Sequence, residues 1–295
     1  MPACPACGRP LPIAGPRCLY CSAVAPSPRT AAPTGGVPPR TPAGPEKALV
    51  VIECAGEPSR LAAALGLSRF EADQQVRRGG FRLQRIATPE DARAESARLS
   101  SGGVAAHVLP GSDVEAAARP LIALGGAREG GSLRLRTSEG AVSLGGGDLL
   151  LIVRGPIARE YLSEPSSRRR PRGVGLDHGY RIHLHHRSDL RPLELDPGSF
   201  DFGSSEIGSS LVRLSGWVSA LRHSASEDDR FRFLAPALAP AEATPGLVSA
   251  AAALRAPRRG VRGDERVVLD NVAQFRFYSG WRGVLERGRG AAAPT

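Results

Sequence analysis

The sequence predicts an α+β protein of several parts: a small metal-binding head, a disordered linker, a compact β-α-α-β-α-β unit, and a β-rich unit with packing helices at its C-terminal end. Three observations lead there. Four of the five cysteines fall within the first 21 residues as two CxxC pairs. Residues 23–46 are dense in Pro, Ala and Gly and lack an apolar period, the composition of a disordered tether. Beyond them, capped helical segments alternate with short apolar runs over residues 47–110, and short alternating strands dominate residues 131–290.

The head occupies residues 1–22, with Cys4-Pro5-Ala6-Cys7-Gly8 followed by Cys18-Leu19-Tyr20-Cys21, ten residues separating Cys7 from Cys18. A two-residue gap lets one tight turn aim two thiolates at one ion, and two such turns complete a tetrahedral site. Four thiolates close the coordination shell, so the expected cofactor is one structural Zn2+ held by Cys4, Cys7, Cys18 and Cys21, folding a segment too short to bury a core. Two disulfides would require an oxidising compartment, and no basic segment followed by an apolar stretch marks the start for export. A redox CxxC needs a strand before it and a helix behind it, which Pro2, Pro5, Pro10 and Pro12 do not permit. The pattern resembles the short zinc ribbons at the termini of many bacterial proteins. A ribbon on a tether suits recruitment or regulation better than catalysis, which needs rigid support.

In residues 47–110 the run from Ala48 to Cys54 reads as a buried strand, with Cys54 as a small hydrophobe. Residues 58–65 form a helix with Leu61 and Leu65 on one side. Ser68 caps another, Glu71 completing a capping box, with Phe70 and Val76 on its inner face and Gly79-Gly80 ending it. Residues 81–86 are a strand. Thr88 then caps a helix with Pro89 at its first position and Glu90 and Asp91 in its first turn. That helix stops at Gly102-Gly103, before a last strand over 104–109. The order, together with the spacing from Thr88-Pro89-Glu90-Asp91-Ala92 through Leu99 and Gly103 to Val108, resembles the C-terminal domain of the bacterial ribosomal stalk protein and its ClpS-like fold. The stalk's factor-binding face uses lysines around a Gly-Leu-rich helix turn. Here Leu65-Gly66-Leu67-Ser68-Arg69-Phe70 has none, so the resemblance implies the fold and not the translation-factor role.

In the second unit, residues 132–137, 141–144, 149–154, 180–186 and 192–195 read as strands, and residues 208–222 as a helix with Leu211, Leu214, Val218 and Leu221 on one stripe. The arrangement implies a small barrel or sandwich closed by that helix, and it resembles a pleckstrin-homology-like domain in outline. Residues 223–265 read as irregular. Residues 267–285 read as a helix whose Val272, Phe275, Phe277, Trp281 and Leu285 are spread broadly enough to be buried by docking on this unit.

Two patterns bear on chemistry. His178, His183, His185 and His186 lie with Asp177 and Asp189 around one strand, and alternation places His183 and His185 on the same face, close enough to share a metal. No HExxH spacing accompanies them, and a polar strand face beside Arg181 and Arg187 is the simpler expectation. Gly125-Gly126, Gly130-Gly131 and Gly145-Gly146-Gly147 have no Lys-Ser/Thr behind them, so they serve turns rather than phosphates. No catalytic residue is assigned.

The charge is +10, from 39 basic and 29 acidic residues, with Lys47 the single lysine. The excess sits in two loop-like knots, Arg168-Arg169-Arg170 with Arg172, and Arg255 with Arg258, Arg259 and Arg262. The sequence therefore reads as a non-enzymatic, cytoplasmic, zinc-binding modular protein that acts on another protein. The alternative is nucleic-acid binding by the ribbon and the Arg-rich loops, and a third reading is a metal-dependent hydrolase using the strand histidines. The longest aliphatic run is far short of the ~20 residues that span a bilayer, so no membrane insertion is expected.

Overall fold

The computed structural model describes residues 46–163, 174–203, 209–221, 225–240 and 266–292, all within one compact unit, Pro45–Thr295. The four ribbon cysteines, the linker and both arginine knots lie outside the described residues. What is described is mixed α and β, with six helices and two sheets.

The elements of the first unit come in the expected order. β1 (Ala48–Glu53) is apolar almost throughout because both its faces are covered. It pairs antiparallel with β2 (Phe81–Ala87) on one side and β3 (Ala106–Pro110) on the other. Helices α1 (Pro58–Leu65), α2 (Arg69–Arg78) and α3 (Pro89–Ser101) bury Leu61, Ala72, Ala92 and Leu99 against Ala48, Val50, Ile52 and Cys54. The caps form as the sequence implies: the Glu71 N–H donates to Ser68 Oγ, the Ser68 N–H donates back to the Glu71 carboxylate at 2.9 Å, and the Asp91 N–H donates to Thr88 Oγ1. Gly66 and Gly79 end α1 and α2 at positive φ. One side chain departs from expectation. Phe70 is 69% exposed, because the inward stripe of α2 runs through Ala72 and Val76, four residues apart, and a residue two places before Ala72 points to the opposite side.

A short helix the sequence reading did not foresee, α4 (Gly111–Ala117), leads into a nine-stranded sheet. Its strands are β4 (Leu121–Glu129), β5 (Ser132–Thr137), β6 (Gly140–Gly145), β7 (Leu149–Ser163), β8 (Val174–His186), β9 (Leu193–Leu195), β10 (Ser226–Asp228), β11 (Ala239–Pro240) and β12 (Arg266–Asp270). The order is β11-β12-β7-β8-β9-β4-β5-β6, and β10 runs parallel to the first part of β7. Two expectations are corrected here. The span read as irregular contains β10, a 3-10 turn over Arg230–Phe233, and β11. The span read as one helix begins as β12, whose Val-Val-Leu run pairs antiparallel with the far end of β7, as β-branched residues favour. The helix, α6 (Val272–Ala292), starts only after Asp270, whose carboxylate accepts the Val272 N–H at 3.1 Å.

The large sheet separates two apolar layers. On one face Leu149, Ile152, Ile182, Leu184, Leu193 and Leu195 pack against Leu214, Val218 and Leu221 of α5 (Ser210–Leu221). On the other, Leu151, Val153 and Ile157 pack against Phe275, Tyr278, Trp281 and Leu285 of α6. The same cluster takes in Leu49, Val51 and Leu109 of the small sheet. Helix α6 is thus the layer shared by both sheets, and the segments 47–110 and 131–290 meet through it. A Cβ at Gly155 would press into Phe231 and Phe275, so that glycine lets the helix aromatics come close to β7. Among the described residues no helix is long and apolar enough to cross a membrane.

Candidate functional site

Strand alternation on β8 sends Ile182 and Leu184 toward α5 and Arg181, His183 and His185 toward α6. The two histidines do share a face, with ring centroids 6.3 Å apart. That face is polar, with Arg181 beside the histidines, and α6 lies on it, so that His183 and His185 are 0% and 1% exposed. His183 sits opposite Glu194 of β9 in register. Glu194 lies between Leu193 and Leu195, so burying both leucines under α5 necessarily turns the carboxylate to the α6 side.

Helix α6 supplies Arg276 and Ser279 to this face. Arg276 grips Glu194 with a two-pronged pair, Nε to Oε2 at 2.7 Å and a terminal nitrogen to Oε1 at 2.9 Å, the geometry in which guanidinium and carboxylate match best. Arg181 lies 3.3 Å from Glu194 Oε1 and 2.7 Å from Asp196. His183 Nε2 is 3.0 Å from Glu194 Oε2, while His183 Nδ1 and His185 Nε2 both lie 2.8 Å from Ser279 Oγ. With the His183 ring neutral, as its depressed pKa requires at pH 7, the proton positions follow from its partners. A carboxylate only accepts, so His183 donates from Nε2; its Nδ1 then accepts the Ser279 hydroxyl proton, and the Ser279 oxygen accepts from His185 Nε2. The chain of donors runs one way, from His185 through Ser279 and His183 to Glu194.

Electrostatics agree with that assignment. Burial disfavours the Glu194 charge, but the hydrogen bond from His183 and the Arg276 ion pair outweigh it and hold the carboxyl far below its ordinary range. Burial depresses His183 against the pull of Glu194. Burial depresses His185 further, with His183, Arg282 and Arg287 adding to the effect. Both rings are neutral at pH 7. The glycine at 283 belongs to the same design, since a Cβ there would overlap the His185 ring.

Hydroxyl, imidazole and carboxylate linked in series have the connectivity of a serine-hydrolase triad, but two features separate this group from one. The hydroxyl meets Nδ1 and the carboxylate meets Nε2, the reverse of the nucleophilic arrangement. Ser279, His183 and Glu194 are also 0%, 0% and 1% exposed, so no substrate atom reaches Ser279 while α6 is in place. What the arrangement does is fix α6 on the sheet in one register.

A second buried polar group lies on the other side of α6. Tyr278 donates to Asp228 at 3.0 Å, and Arg282 Nε pairs with the same carboxylate. Burial and then Asp228 push the Tyr278 hydroxyl well above its usual range. The sequence reading missed Glu194, Ser279, Arg276, Asp228 and Arg282. A usable signal existed in Arg276, Ser279 and Gly283, which recur at helical spacing among aromatics.

The remaining candidates are placed apart from these groups. His186 faces away from the pair, toward Ser188 at 2.9 Å, and His178 is exposed. Cys54 is buried, and burial pushes its thiol up. Among the described residues no three His, Cys, Asp or Glu side chains are gathered so as to hold a metal ion. Phe70 lines an open groove of about 570 Å3 with Glu57, Pro58, Arg69 and Asp73. Comparison of the chain with protein-family models, with curated proteins and with solved structures gives no match.

Proposed function

We propose that the protein is a zinc-binding adaptor or regulator acting through protein–protein contact, in which Cys4, Cys7, Cys18 and Cys21 hold one structural Zn2+ on a tethered head and the remainder of the chain is a binding body. The zinc reading is supported by the donor set, since four thiolates in paired CxxC turns match the preferred ligands and geometry of structural zinc. The non-enzymatic reading rests on one observation: the group in the described residues that most resembles catalytic machinery, Ser279-His183-Glu194, is closed beneath α6. Other parts of the reading are consistent with it. We take the first unit as stalk-domain-like in its β-α-α-β-α-β order, and the large sheet with α5 on its face as a sandwich or barrel of pleckstrin-homology-like outline, working in the cytoplasm.

The test is metal analysis of the full chain beside affinity capture. One zinc per chain is expected, lost in a Cys4→Ser/Cys18→Ser variant, together with a set of captured proteins that depends on those cysteines. Zinc that persists in the variant, or capture of nucleic acid in a salt-dependent way in place of protein, would overturn it.

A further inference from the structure

The outer edge of β3 opens onto a groove of about 270 Å3 whose other wall is the last part of α6. The phase of the β1–β3 ladder is set by two hydrogen bonds, Gly111 N–H to the Lys47 carbonyl at 2.8 Å and Glu53 N–H to the Ala105 carbonyl at 2.9 Å. In an antiparallel pair such residues alternate with residues whose N–H and C=O point away. Leu109 and His107 therefore bond to β1, while Val108 and Ala106 turn their backbone groups outward. Ser96 of α3 closes the edge at Ala106 by donating to its carbonyl at 3.2 Å. Val108 is left facing the groove, which His107, Val108 and Leu109 line from the strand and Leu285, Gly288 and Arg289 from the helix.

Arg289 gives the groove its positive charge. The Arg289 guanidinium stacks on the Phe81 ring at 4.9 Å, and His107, which lines the strand wall, meets the edge of that ring at 6.1 Å. Among the described residues no carboxylate pairs with Arg289. Of the lining residues, His107 has its Nε2 buried without a hydrogen-bond partner, and groups in that state ordinarily have a partner of some kind. The floor is apolar at Leu109 and Leu285, and at Gly288 a Cβ would meet nothing within 4 Å, which leaves room for a chain to lie across the helix.

We propose that this groove binds an extended, acidic peptide segment of a partner protein. The peptide would add a strand to β3, exchanging backbone hydrogen bonds with Val108, resting an aliphatic side chain on Leu109 and Leu285, and placing a carboxylate at Arg289. Main-chain bonds then supply affinity and the alternate side chains supply selectivity. The inference rests on the binding-protein reading above and names the partner chemistry for the body; it is independent of the zinc head.

The test uses the full chain as bait for a phage-displayed library of nine-residue peptides. The expected result is a selected pool enriched in Asp or Glu two positions from an aliphatic residue. A synthetic peptide from that pool should bind at least tenfold more weakly to Gly288→Leu, which fills the groove, and to Arg289→Glu, which reverses its charge. Both variants should keep the melting temperature of the parent. Three results would overturn the proposal: no enrichment or enrichment in basic residues, equal binding to parent and Gly288→Leu, or Arg289-dependent binding of a single-stranded 20-nucleotide DNA in place of peptide. Because the four cysteines are intact in every arm, failure here leaves the cysteine-dependent capture experiment to be decided separately.

Discussion

At the scale of single residues, the contrast between Gly283 and Gly288 shows how much of α6 is dictated by what lies against it. Both glycines stand in one helix, where an alanine would ordinarily gain about 0.5–1 kcal/mol from reduced chain entropy. At Gly288 there is open space beyond the backbone, whereas at Gly283 the His185 ring occupies the Cβ position. That ring is held by Ser279 at 2.8 Å and is 1% exposed. Gly288→Ala should therefore be neutral or slightly stabilising, and Gly283→Ala should cost about 1–3 kcal/mol through overpacking. Urea denaturation of the pair decides it: equal stabilities would mean that His185 repacks freely and that the donor chain does not set the helix register.

At the scale of elements, the helices of the small unit are specified locally and α6 is not. Helix α2 has a reciprocal cap between Ser68 and Glu71, so Ser68→Ala should destabilise by about 1 kcal/mol, seen as a lowered denaturation midpoint with an unchanged slope. A midpoint unaffected by the substitution would show that this helix draws its stability from packing alone. Helix α6 is held instead by ion pairs out of water, Arg276 with Glu194 and Arg282 with Asp228. Such pairs add little net stability compared with a well-packed apolar core, yet removing one partner leaves a buried charge exposed to no compensation. Their effect is to make one docking of the helix acceptable and slipped dockings costly.

At the scale of the whole molecule, α6 couples the two sheets, so loosening its polar face should unfold both together. The pH dependence follows from the direction of the shifts. His183 and His185 have folded-state pKa values below the ordinary 6.5, so above 6.5 neither folded nor unfolded chain binds the proton and nothing is lost. Below 6.5 the unfolded chain binds protons that the folded protein refuses, and stability falls by about 1.4 kcal/mol per histidine per pH unit until the folded values are reached. Glu194 is depressed too, so its contribution is present above the ordinary carboxylate value near 4.5 and is lost as the pH falls below it. A single unfolding transition is expected that is nearly flat above pH 6.5 and weakens steeply as the pH falls from 6.5 to 5.5, with a shallower slope in His185→Gln. A flat profile over that window would show that the rings are hydrated in the folded state.

What the sequence determined by itself was local. The caps at Ser68 and Thr88, the glycine stops, and the β-α-α-β-α-β order depend on residues three or four apart, whose physics is the same in any surroundings. The pairing of His183 with His185 on one face also needed only the two-residue strand period. The tertiary structure decided which face of a strand is sealed and by what. Glu194 reads as a lone carboxylate in the strand expected over residues 192–195, and Ser279 as an ordinary helix serine, until β8, β9 and α6 come together across 82 to 96 residues of chain. Such contacts are fixed by how layers stack and by which polar groups can be satisfied once water is excluded, and no local window contains that information. The same reason placed the polar strand face of β8 in the interior, whereas the exposure of Phe70 follows from the helical period of α2 alone.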